Sequence, residues 1–493
     1  MRRRTFCKTT LAAAVSATLP GCTSESQEPA ADVGSLIPAV TSSGDEISIE
    51  SAAVTELAES LHGRLYLQTD AGYDSARSVW NGMFDHKKPA IVIRCGTVDD
   101  VVSAVTFARE RSLLVSVKCG GHSLPGKSTN DGGMMIDLSP MHVVDVNIEE
   151  QTAHVDGGAL LGHIDGASLK HNLLTTTGIV SHTGAGGFTL GGGLGRTDRK
   201  MGLAVDNLLA ATVVTASGDV LQVSEDENPD LFWGLRGGGG NFGIATKFVY
   251  RLHPFEPTVY GGVLTYALSK DLLDFYAEHA GTLPDEANVE PSFFPGEDGA
   301  PVASIEFCWC GDHADGEKIF ASFVDFSGRT GGELGPLSYH SMQTGADSFL
   351  GHGRQYYLKS SYLKELTPEA IEVILQYARA PGAPGSWFQH LGGASSRVAP
   401  DAMAYSHRDV GFNFGIMMIT DDPAETEGGI AAVREYYAAM EPHMAGFYTN
   451  LDQDNEHKIW GNYGANYPRL VQLKNKYDPT NLFRLNANIK PTV

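Results

Sequence analysis

Features that define several protein classes are scarce or absent in this chain of 493 residues. Six cysteines are too few for a disulfide scaffold of this length. Acidic residues outnumber basic ones, 59 to 36, and the formal net charge is −23. A surface this acidic repels phosphate backbones, so we expect no nucleic-acid partner. No run of about 18 apolar residues occurs, which argues against a membrane-spanning helix, and we assign no metal ligands.

The first 22 residues predict an export signal. Basic residues at positions 2–4 and 8 precede an apolar run, Leu11 to Leu19, that is too short to span a bilayer. Residues 3–8 resemble a twin-arginine motif, which implies the twin-arginine export machinery as a partner and a periplasmic or cell-surface location. Cys22 resembles a lipidated lipoprotein cysteine, although Pro20 is atypical there. A plain secretory peptide cut a few residues later is the open alternative.

The first half of the chain carries a strand–helix–strand pattern. Residues 89–94 form a short apolar segment, and Thr97 with Asp100 three residues later predicts the start of a helix. Residues 113–117 form the next apolar segment. A helical crossover of this length predicts that the two strands run parallel.

From about Phe255 the segments become longer and alternate in polarity. Residues 302–310 place polar side chains on one face and apolar ones on the other, and residues 409–419 predict another strand. Thr367-Pro368 opens a predicted helix, and a last helix is predicted over residues 467–477. This alternation favours an antiparallel sheet in a second domain.

Glycine is abundant, and much of it is clustered. The dense stretches are residues 120–121, 184–195 and 237–243. Gly238-x-Gly240-x-x-Gly243 matches a dinucleotide fingerprint, but a β-like segment follows it and the next acidic residue, Glu256, comes too soon, so we reject a Rossmann site. Glycine lets backbone approach a ligand closely, which predicts an elongated cofactor whose pyrophosphate is bound by backbone N–H groups. Glycines that pack strands in a sandwich or barrel are the alternative.

Many motifs occur together in one order. They are Gly120-Gly121-His122-Ser123, Ile136-Asp137-Leu138-Ser139, Gly157-Gly158-Ala159, Thr177-Gly178 through Gly195, Gly202-Leu203 with Asp206-Asn207, Asp230-Leu231-Phe232-Trp233-Gly234, Asn241-Phe242-Gly243-Ile244, Tyr463-Gly464, Tyr477-Asp478-Pro479 and Asn486-x-Asn488-Ile489. From about Asp85 to the C-terminus the chain therefore resembles the FAD-linked oxidases of the berberine bridge enzyme-like group, within the vanillyl-alcohol oxidase superfamily.

The resemblance implies an α+β fold, in which a two-part FAD-binding domain of PCMH type receives an inserted antiparallel-sheet substrate domain backed by helices. Residues 85–255 are the predicted FAD-binding domain, 256–440 the substrate-binding domain, and 441–493 the segment that closes the FAD domain. Residues 23–46 are predicted to be a flexible tether, and residues 47–84 a lead-in.

The resemblance also implies the cofactor and its residues. FAD is expected to be joined through its 8α-methyl group to His122, because a neutral imidazole nitrogen is nucleophilic near neutral pH. Relatives with a second, cysteinyl link carry it at the position of Val180, so His122 is predicted to be the only link. His182 is expected either to line the flavin pocket or to be structural. The predicted cofactor-binding residues are Gly120, Gly121, His122, Ser123, Thr177, Gly178, Ser181, Gly184, Gly186, Gly187, Gly192, Asp206, Asn207, Gly243, Ile244, Tyr463, Asn486 and Asn488.

The expected reaction moves a hydride from an alcohol, sugar or amine to FAD, with O2 as acceptor and H2O2 as product. A dehydrogenase with another acceptor, or a catalytically silent flavin- or ligand-binding lipoprotein, is the alternative. Relatives often use as base a tyrosine that is Leu451 here. Tyr448 is the favoured candidate for the base. The other candidates are His390, Glu306 and Tyr405, or a substrate that arrives deprotonated.

The remaining cysteines allow one further prediction. Cys95 and Cys119 each follow a strand of the predicted parallel pair, so a disulfide between them is left open. Cys308 and Cys310 lie two apart on one strand face, a poor spacing for a disulfide.

Overall fold

The computed structural model describes residues 35–296, 299–454 and 456–493. The predicted export signal, Cys22 and most of the predicted tether lie outside these residues. Within the described part of the chain, no helix is both long and apolar enough to cross a membrane.

The secondary structure alternates strands and helices along the chain. The strands are β1 (Leu36–Val40), β2 (Glu46–Glu50), β3 (Arg64–Leu67), β4 (Ile91–Arg94), β5 (Val115–Lys118), β6 (Met134–Asp137), β7 (Val144–Asn147), β8 (Thr152–Asp156), β9 (Leu173–Leu174), β10 (Leu208–Val214), β11 (Val220–Ser224), β12 (Ile244–Arg251), β13 (His253–Pro254), β14 (Thr258–Ala267), β15 (Ala287–Pro295), β16 (Pro301–Trp309), β17 (Arg329–Ser338), β18 (Gln355–Leu363), β19 (Gly385–His390) and β20 (Phe412–Thr420). The helices are α1 (Ser51–Ser60), α2 (Tyr73–Arg77), α3 (Val98–Glu110), α4 (Leu161–Ser168), α5 (Ala185–Leu190), α6 (Asp198–Met201), α7 (Pro229–Leu235), α8 (Lys270–Ala280), α9 (His313–Val324), α10 (Tyr339–Gln343), α11 (Pro368–Ala378), α12 (Thr426–Met440), α13 (Ile459–Tyr463) and α14 (Tyr467–Tyr477).

The predicted strand–helix–strand unit is β4–α3–β5. Thr97 Oγ1 accepts a hydrogen bond from the Asp100 backbone N–H, and the Asp100 carboxylate accepts one from the Thr97 N–H, so the predicted helix start is a complete capping box. The four-stranded sheet has the order β3-β4-β6-β5, and β4 and β5 both run parallel to β6. The parallel direction is confirmed.

The Cys95–Cys119 disulfide left open by the sequence is absent. Strand β6 lies between β4 and β5, so the two cysteines do not follow neighbouring strands. Both thiols are free, as are those of Cys308 and Cys310. The sequence did not predict that β6 lies between β4 and β5, because β6 comes after both cysteines in the chain and its pairing is not visible in a single sequence.

Part of the predicted tether is ordered, contrary to the prediction. Strands β1 and β2 form an antiparallel hairpin. The backbone of Val40 bonds with those of Gly132 and Leu114, which fixes β1 against the four-stranded sheet. Apolar and polar residues alternate in both strands, so that Ala39 and Ile49 are buried on one face of the hairpin. The sequence prediction missed this alternation because the segment is rich in Ser and Pro.

Two further layers complete the fold. A five-stranded sheet has the order β11-β10-β12-β8-β7, and a seven-stranded antiparallel sheet has the order β17-β14-β16-β15-β19-β20-β18. Helices α8, α9, α11 and α12 pack on one face of the larger sheet, where side chains such as Val289, Phe307 and Phe414 are buried among them. The predicted α+β class, with an antiparallel sheet backed by helices, is confirmed.

The opposite face of the larger sheet is partly polar. The predicted alternation in β16 holds, because Ala303, Ile305 and Phe307 are buried on the helix side while Ser304 and Glu306 are half-buried on the other. This second face is turned toward the glycine-rich segments and forms one wall of the candidate site.

Candidate active site

A cavity of about 580 Å³ lies where the glycine-rich segments meet the polar face of the seven-stranded sheet. Its wall includes the loop after β5, residues 178–190, the turn before β12, parts of strands β15, β16, β18, β19 and β20, and residues 447–454 and 483–487. The volume falls within the range of cofactor and ligand sites in proteins, roughly 300–1,000 Å³.

His122 follows β5 and lines this cavity. Its Nε2 is 2.7 Å from Nδ1 of His182, and its Nδ1 is 3.5 Å from Thr183 Oγ1. The Trp80 ring stacks on the imidazole, with centroids 4.7 Å apart. Burial lowers the pKa of His122 well below its usual value, and His182 and His352 lower it further. The imidazole is therefore neutral at pH 7, the form in which it is a nucleophile.

Ring nitrogens of His122, His182 and His352 lie within 4.8 Å of one another, close enough to hold a metal ion together. The lone-histidine signal in the sequence did not predict this cluster. His352 comes from the loop before β18, far away in the chain.

Close backbone packing explains why two of the glycines are needed. A Cβ on Gly120 would lie 2.4 Å from the backbone nitrogen of Gly184, and a Cβ on Gly184 would lie 2.3 Å from that of Gly120. Side chains at either position would force the His122 loop away from the 181–187 turn. Gly187, by contrast, has no atom near its Cβ position and faces open space in the cavity wall.

Most of the predicted cofactor-binding residues line the cavity. These are Gly120, Gly121, His122, Ser123, Gly178, Gly184, Gly186, Gly187, Gly243, Ile244 and Asn486. The others, which do not line it, are Thr177, Ser181, Gly192, Asp206, Asn207, Tyr463 and Asn488.

Several residues of the second group have protein partners. Thr177 Oγ1 donates to Asp165 at 2.8 Å, Ser181 Oγ donates to Asp347 at 2.5 Å, and Tyr463 OH donates to the Gly237 carbonyl at 3.0 Å. Asp206 is ion-paired with Arg408 at 2.7 Å, and Asn207 Nδ2 donates to the Met201 and Leu203 carbonyls. A Cβ on Gly192 would meet the Tyr405 ring at 2.7 Å. These residues therefore support the wall from behind.

The four side chains predicted as alternative bases separate into two pairs. Tyr448 and Glu306 line the cavity, whereas His390 and Tyr405 do not. His390 is buried, and Tyr405 shares a hydrogen bond with the Tyr362 hydroxyl at 2.8 Å. The two residues outside the cavity are packing residues.

The Tyr448 hydroxyl is poorly suited to accept a proton. It already accepts hydrogen bonds from the Gly193 N–H and from Asn450 Nδ2, both at 2.9 Å. Burial raises the pKa of Tyr448 to about 12, so its phenolate is rare at neutral pH. Leu451, where relatives are expected to carry a base, also lines the cavity.

Trp80, Ser128 and Glu290 are among the cavity residues that were not predicted from the sequence. Glu290 faces the cavity from β15, directly opposite Glu306 of β16 in the antiparallel register. The alternation Asn288, Glu290, Ser292 was the signal that could have identified it. Trp80 lies in the lead-in segment, which carries no recognisable motif.

The string GxxxxGK[ST] also occurs, at residues 121–128. A phosphate loop of the P-loop type requires a helix immediately after the string. Here turns follow, and the next regular element is β6. The segment instead contributes Lys127 and Ser128 to the cavity wall.

Two polar atoms of the wall fit a bound cofactor. Ser128 Oγ and Asn486 Oδ1 are buried and find no hydrogen-bond partner within the described chain. Buried polar atoms are normally paired, so a ligand rich in hydroxyl and N–H groups suits this wall. FAD has such groups along its ribityl chain and at the edge of its ring.

Comparisons with known proteins agree with this geometry. A family model described as an FAD binding domain matches residues 89–224, and one described as berberine and berberine like matches residues 448–490. An FAD-linked oxidoreductase of Dictyostelium discoideum is 32% identical over 447 residues, covering 89% of this chain and 97% of that protein. The chain belongs to the berberine-like family of FAD-linked oxidoreductases.

Two other similarities are to proteins that are named as oxidases. Glucooligosaccharide oxidase of Sarocladium strictum is 29% identical over 462 residues, covering 85% of this chain and 91% of that protein. The structure of 6-hydroxy-D-nicotine oxidase from Arthrobacter nicotinovorans superposes with a TM-score of 0.79 at 28% identity, covering 87% of this chain and 98% of that one. The protein is therefore an enzyme that uses FAD.

Proposed function

We propose that this enzyme is an exported oxidase that takes a hydride from an alcohol, sugar or amine, holds FAD covalently through His122 alone, and uses O2 as acceptor. The observation that carries the proposal is the composition of the cavity wall. The His122 loop and the polar face of the seven-stranded sheet border the same space, so a flavin on one side meets a substrate on the other.

Bound FAD supplies a two-electron acceptor at its ring, and the protein supplies the position of that ring. Trp80 stacks on His122, and Tyr356 stacks on Trp80 with centroids 3.7 Å apart, which holds the imidazole in one orientation. Nε2 of His122 is hydrogen-bonded to Nδ1 of His182. Nδ1 is then left to bond with the 8α carbon.

Bound FAD would supply the methyl carbon and the electron acceptor for this bond, and His122 would supply the nucleophilic nitrogen. Val180 supports a single link, because its side chain stands in the cavity wall where a second, cysteinyl link would need a thiol.

Two kinds of substrate are suggested by the relatives, one an oligosaccharide and one a hydroxylated nicotine. The cavity offers aromatic surfaces in Trp387 and Phe388 together with polar groups in Ser292 and Gln389. This mixture suits a small organic molecule that carries a hydroxyl or an amine. Export to the periplasm or cell surface, with a lipid on Cys22, is part of the same proposal and is tested by metabolic labelling of that cysteine.

The first test is whether the flavin stays with the protein after acid precipitation. Wild-type enzyme is expected to keep its yellow colour in the pellet, and His122→Ala is expected to lose it while still folding around FAD. His171→Ala, on an exposed histidine, is the matched control. Flavin that washes out of the wild-type pellet would contradict the covalent link.

The second test measures peroxide release over glucose, a cello-oligosaccharide, a benzylic alcohol and a cyclic secondary amine. Release of hydrogen peroxide with any one of these compounds supports the proposed oxidase activity. Reduction of a dye without peroxide identifies the dehydrogenase instead, and no flavin reduction by any of them supports the silent binding protein.

A further inference from the structure

Two glutamates face each other across neighbouring strands in the cavity wall. Glu290 of β15 and Glu306 of β16 are register partners, and both line the cavity. Directly opposed carboxylates repel each other, so a pair of this kind needs a cation or a shared proton.

The available cation is bound to only one of the two. Arg196 Nε donates to Glu306 Oε1 at 2.5 Å and Nη2 donates to Oε2 at 3.0 Å, a bidentate pair. The remaining guanidinium nitrogen, Nη1, donates to Gln343 Oε1 at 2.6 Å. The two hydrogen bonds from the guanidinium hold the Glu306 carboxylate in a fixed orientation.

Glu290 is in a different environment. Its residue is only 8% exposed. Burial and the nearby Glu306 raise the pKa of Glu290 to about 7, although Arg196 and hydrogen bonds from Asn288 and the His390 backbone act in the opposite direction. At neutral pH this carboxyl exchanges a proton readily.

Groups from several elements surround Glu290. Asp198 of α6 interacts with it and is itself buried, with its pKa raised well above the usual value. Tyr276 of α8 lies on the helix side, and burial raises its pKa too. His390 of β19 is buried with its pKa well below the usual value and stays neutral. Arg199 of α6 is a second buried cation that interacts with Asp198, Tyr276 and His390, and its Nε donates to the Ala287 carbonyl. Arg196 is the cation that acts on Glu290 itself.

We infer that Glu290 is the general base of the reaction, and that Arg196 and Glu306 are positioning residues. The inference rests on the proposed function. As the substrate C–H bond breaks, its hydrogen leaves with the electron pair to the flavin. The O–H or N–H proton of the same substrate passes to a carboxylate oxygen of Glu290, and a C=O or C=N bond forms.

Glu290 is better suited to this role than the other carboxyl and tyrosine side chains of the cavity. Asp452 is ion-paired with Lys359, and Asp454 with Arg434. Glu306 is tied in two hydrogen bonds to Arg196, and the Tyr448 hydroxyl accepts two hydrogen bonds of its own. The two glutamates thus lie in different environments, which is the usual arrangement of the carboxyl groups in acid–base sites.

The experiment compares wild type with Glu290→Gln and Glu290→Asp, using the best substrate of the four-compound panel. Flavin reduction is followed anaerobically by stopped flow. Glu290→Gln is expected to slow it about 10²–10⁴-fold with FAD content and spectrum unchanged, and Glu290→Asp is expected to be less affected. The wild-type rate should rise with pH through an ionisation near neutrality, and the rate of Glu290→Gln should not. Glu278→Gln, on the exposed side of α8, is the control.

A second readout does not need a substrate. Because burial also raises the pKa of Asp165 to about 7, infrared difference spectra are recorded from pH 5 to 9 on flavin-loaded enzyme that carries Asp165→Asn. These spectra should contain a carboxylic C=O band that titrates near neutrality and is missing when Glu290→Gln is added. An unchanged band overturns the inference. So does reduction of Glu290→Gln within threefold of wild type with the same pH profile, and the proposed function then still stands. A wild-type flavin that no substrate reduces overturns the proposed function instead, and the infrared band alone then decides the ionisation of Glu290.

Discussion

At the scale of single residues, the two nitrogens of His122 have different neighbours. Nε2 lies 2.7 Å from His182 Nδ1, whereas Nδ1 has only the more distant Thr183 hydroxyl. A neutral imidazole carries one proton, and the hydrogen bond at one nitrogen decides which nitrogen keeps its lone pair. His182 Nε2 lies 3.4 Å from the Asp347 carbonyl, which can only accept, so His182 Nδ1 carries no proton and accepts from Nε2 of His122. Nδ1 of His122 then keeps its lone pair and is the nucleophile.

Substitution of His182 should reduce covalent flavin attachment. Without this partner the proton on Nε2 has no acceptor, and the imidazole populates both tautomers. We expect His182→Ala to contain FAD that is partly released by acid, measured as in-gel flavin fluorescence against total flavin absorbance. His171→Ala is again the control, and complete covalent attachment in His182→Ala would show that the tautomer does not matter.

Other residues of the site depend on neighbours that are distant in the chain. His122 was predictable because Gly-Gly-His-Ser directly follows a strand. The role of Glu290 was not predictable. It depends on the strand register that places Glu290 opposite Glu306, and on Arg196, which lies about 90 positions earlier and pairs with Glu306. A single sequence does not contain strand register across such a separation.

At the scale of elements, the C-terminal segment is anchored by a buried ion pair in α14. Lys474 and Asp478 are 2.7 Å apart, and both side chains are fully buried. Lys474 Nζ also donates to the Asn241 and Phe483 carbonyls. The Asp478 carboxylate accepts from the backbone N–H groups of Leu482 and Phe483. The hydrogen bonds of this pair therefore connect α14 to the glycine-rich turn at Asn241 and to residues 482–483, next to the cavity.

Removing one partner of this pair should be costly. Lys474→Met leaves the Asp478 charge buried without its cation, and we expect a loss of about 3–5 kcal/mol in the free energy of unfolding. Lys476→Met is the matched control, because this lysine pairs with Asp230 at the surface and should change stability by less than about 1 kcal/mol. Urea denaturation of the two variants gives the comparison, and equal midpoints would contradict the anchoring role.

Elements were predicted well where the signal was local. Thr97 and Asp100 identified the start of α3, and Thr367 with Pro368 identified the start of α11. The position of β6 between β4 and β5 was missed, because it depends on pairing between distant segments. The β1–β2 hairpin was missed because its composition resembles a linker.

At the scale of the whole molecule, a chain of polar side chains links the glycine-rich half to the large sheet. Gln343 at the end of α10 accepts from Arg196 and donates to Thr177 Oγ1 at 2.9 Å, and Thr177 in turn donates to Asp165. The chain of hydrogen bonds thus runs from Glu306 in the cavity wall to a buried carboxyl in α4. Thr177, predicted to touch the cofactor, is a link in this chain.

The protonation of Asp165 should make the stability of the whole molecule depend on pH. Burial raises the pKa of Asp165 to about 7, against about 4 in an unfolded chain. The folded state then holds a proton that the unfolded state has released, so this contribution to stability is fully present below about pH 4 and is lost as pH rises through 7.

Asp165→Asn should remove this one contribution while it leaves the other ionisable groups in place. Asparagine reproduces the shape of the protonated acid and does not titrate. Between pH 5 and pH 8 we expect the free energy of unfolding of wild type to fall by on the order of 2–3 kcal/mol relative to that of Asp165→Asn. Asp145→Asn, at an exposed position of β7, should give curves parallel to wild type. Chemical denaturation of the flavin-loaded proteins at each pH measures the difference in the free energy of unfolding. A difference that does not change with pH would contradict the prediction. It would mean that Asp165 is ionised throughout and that the hydrogen-bond chain carries a buried negative charge.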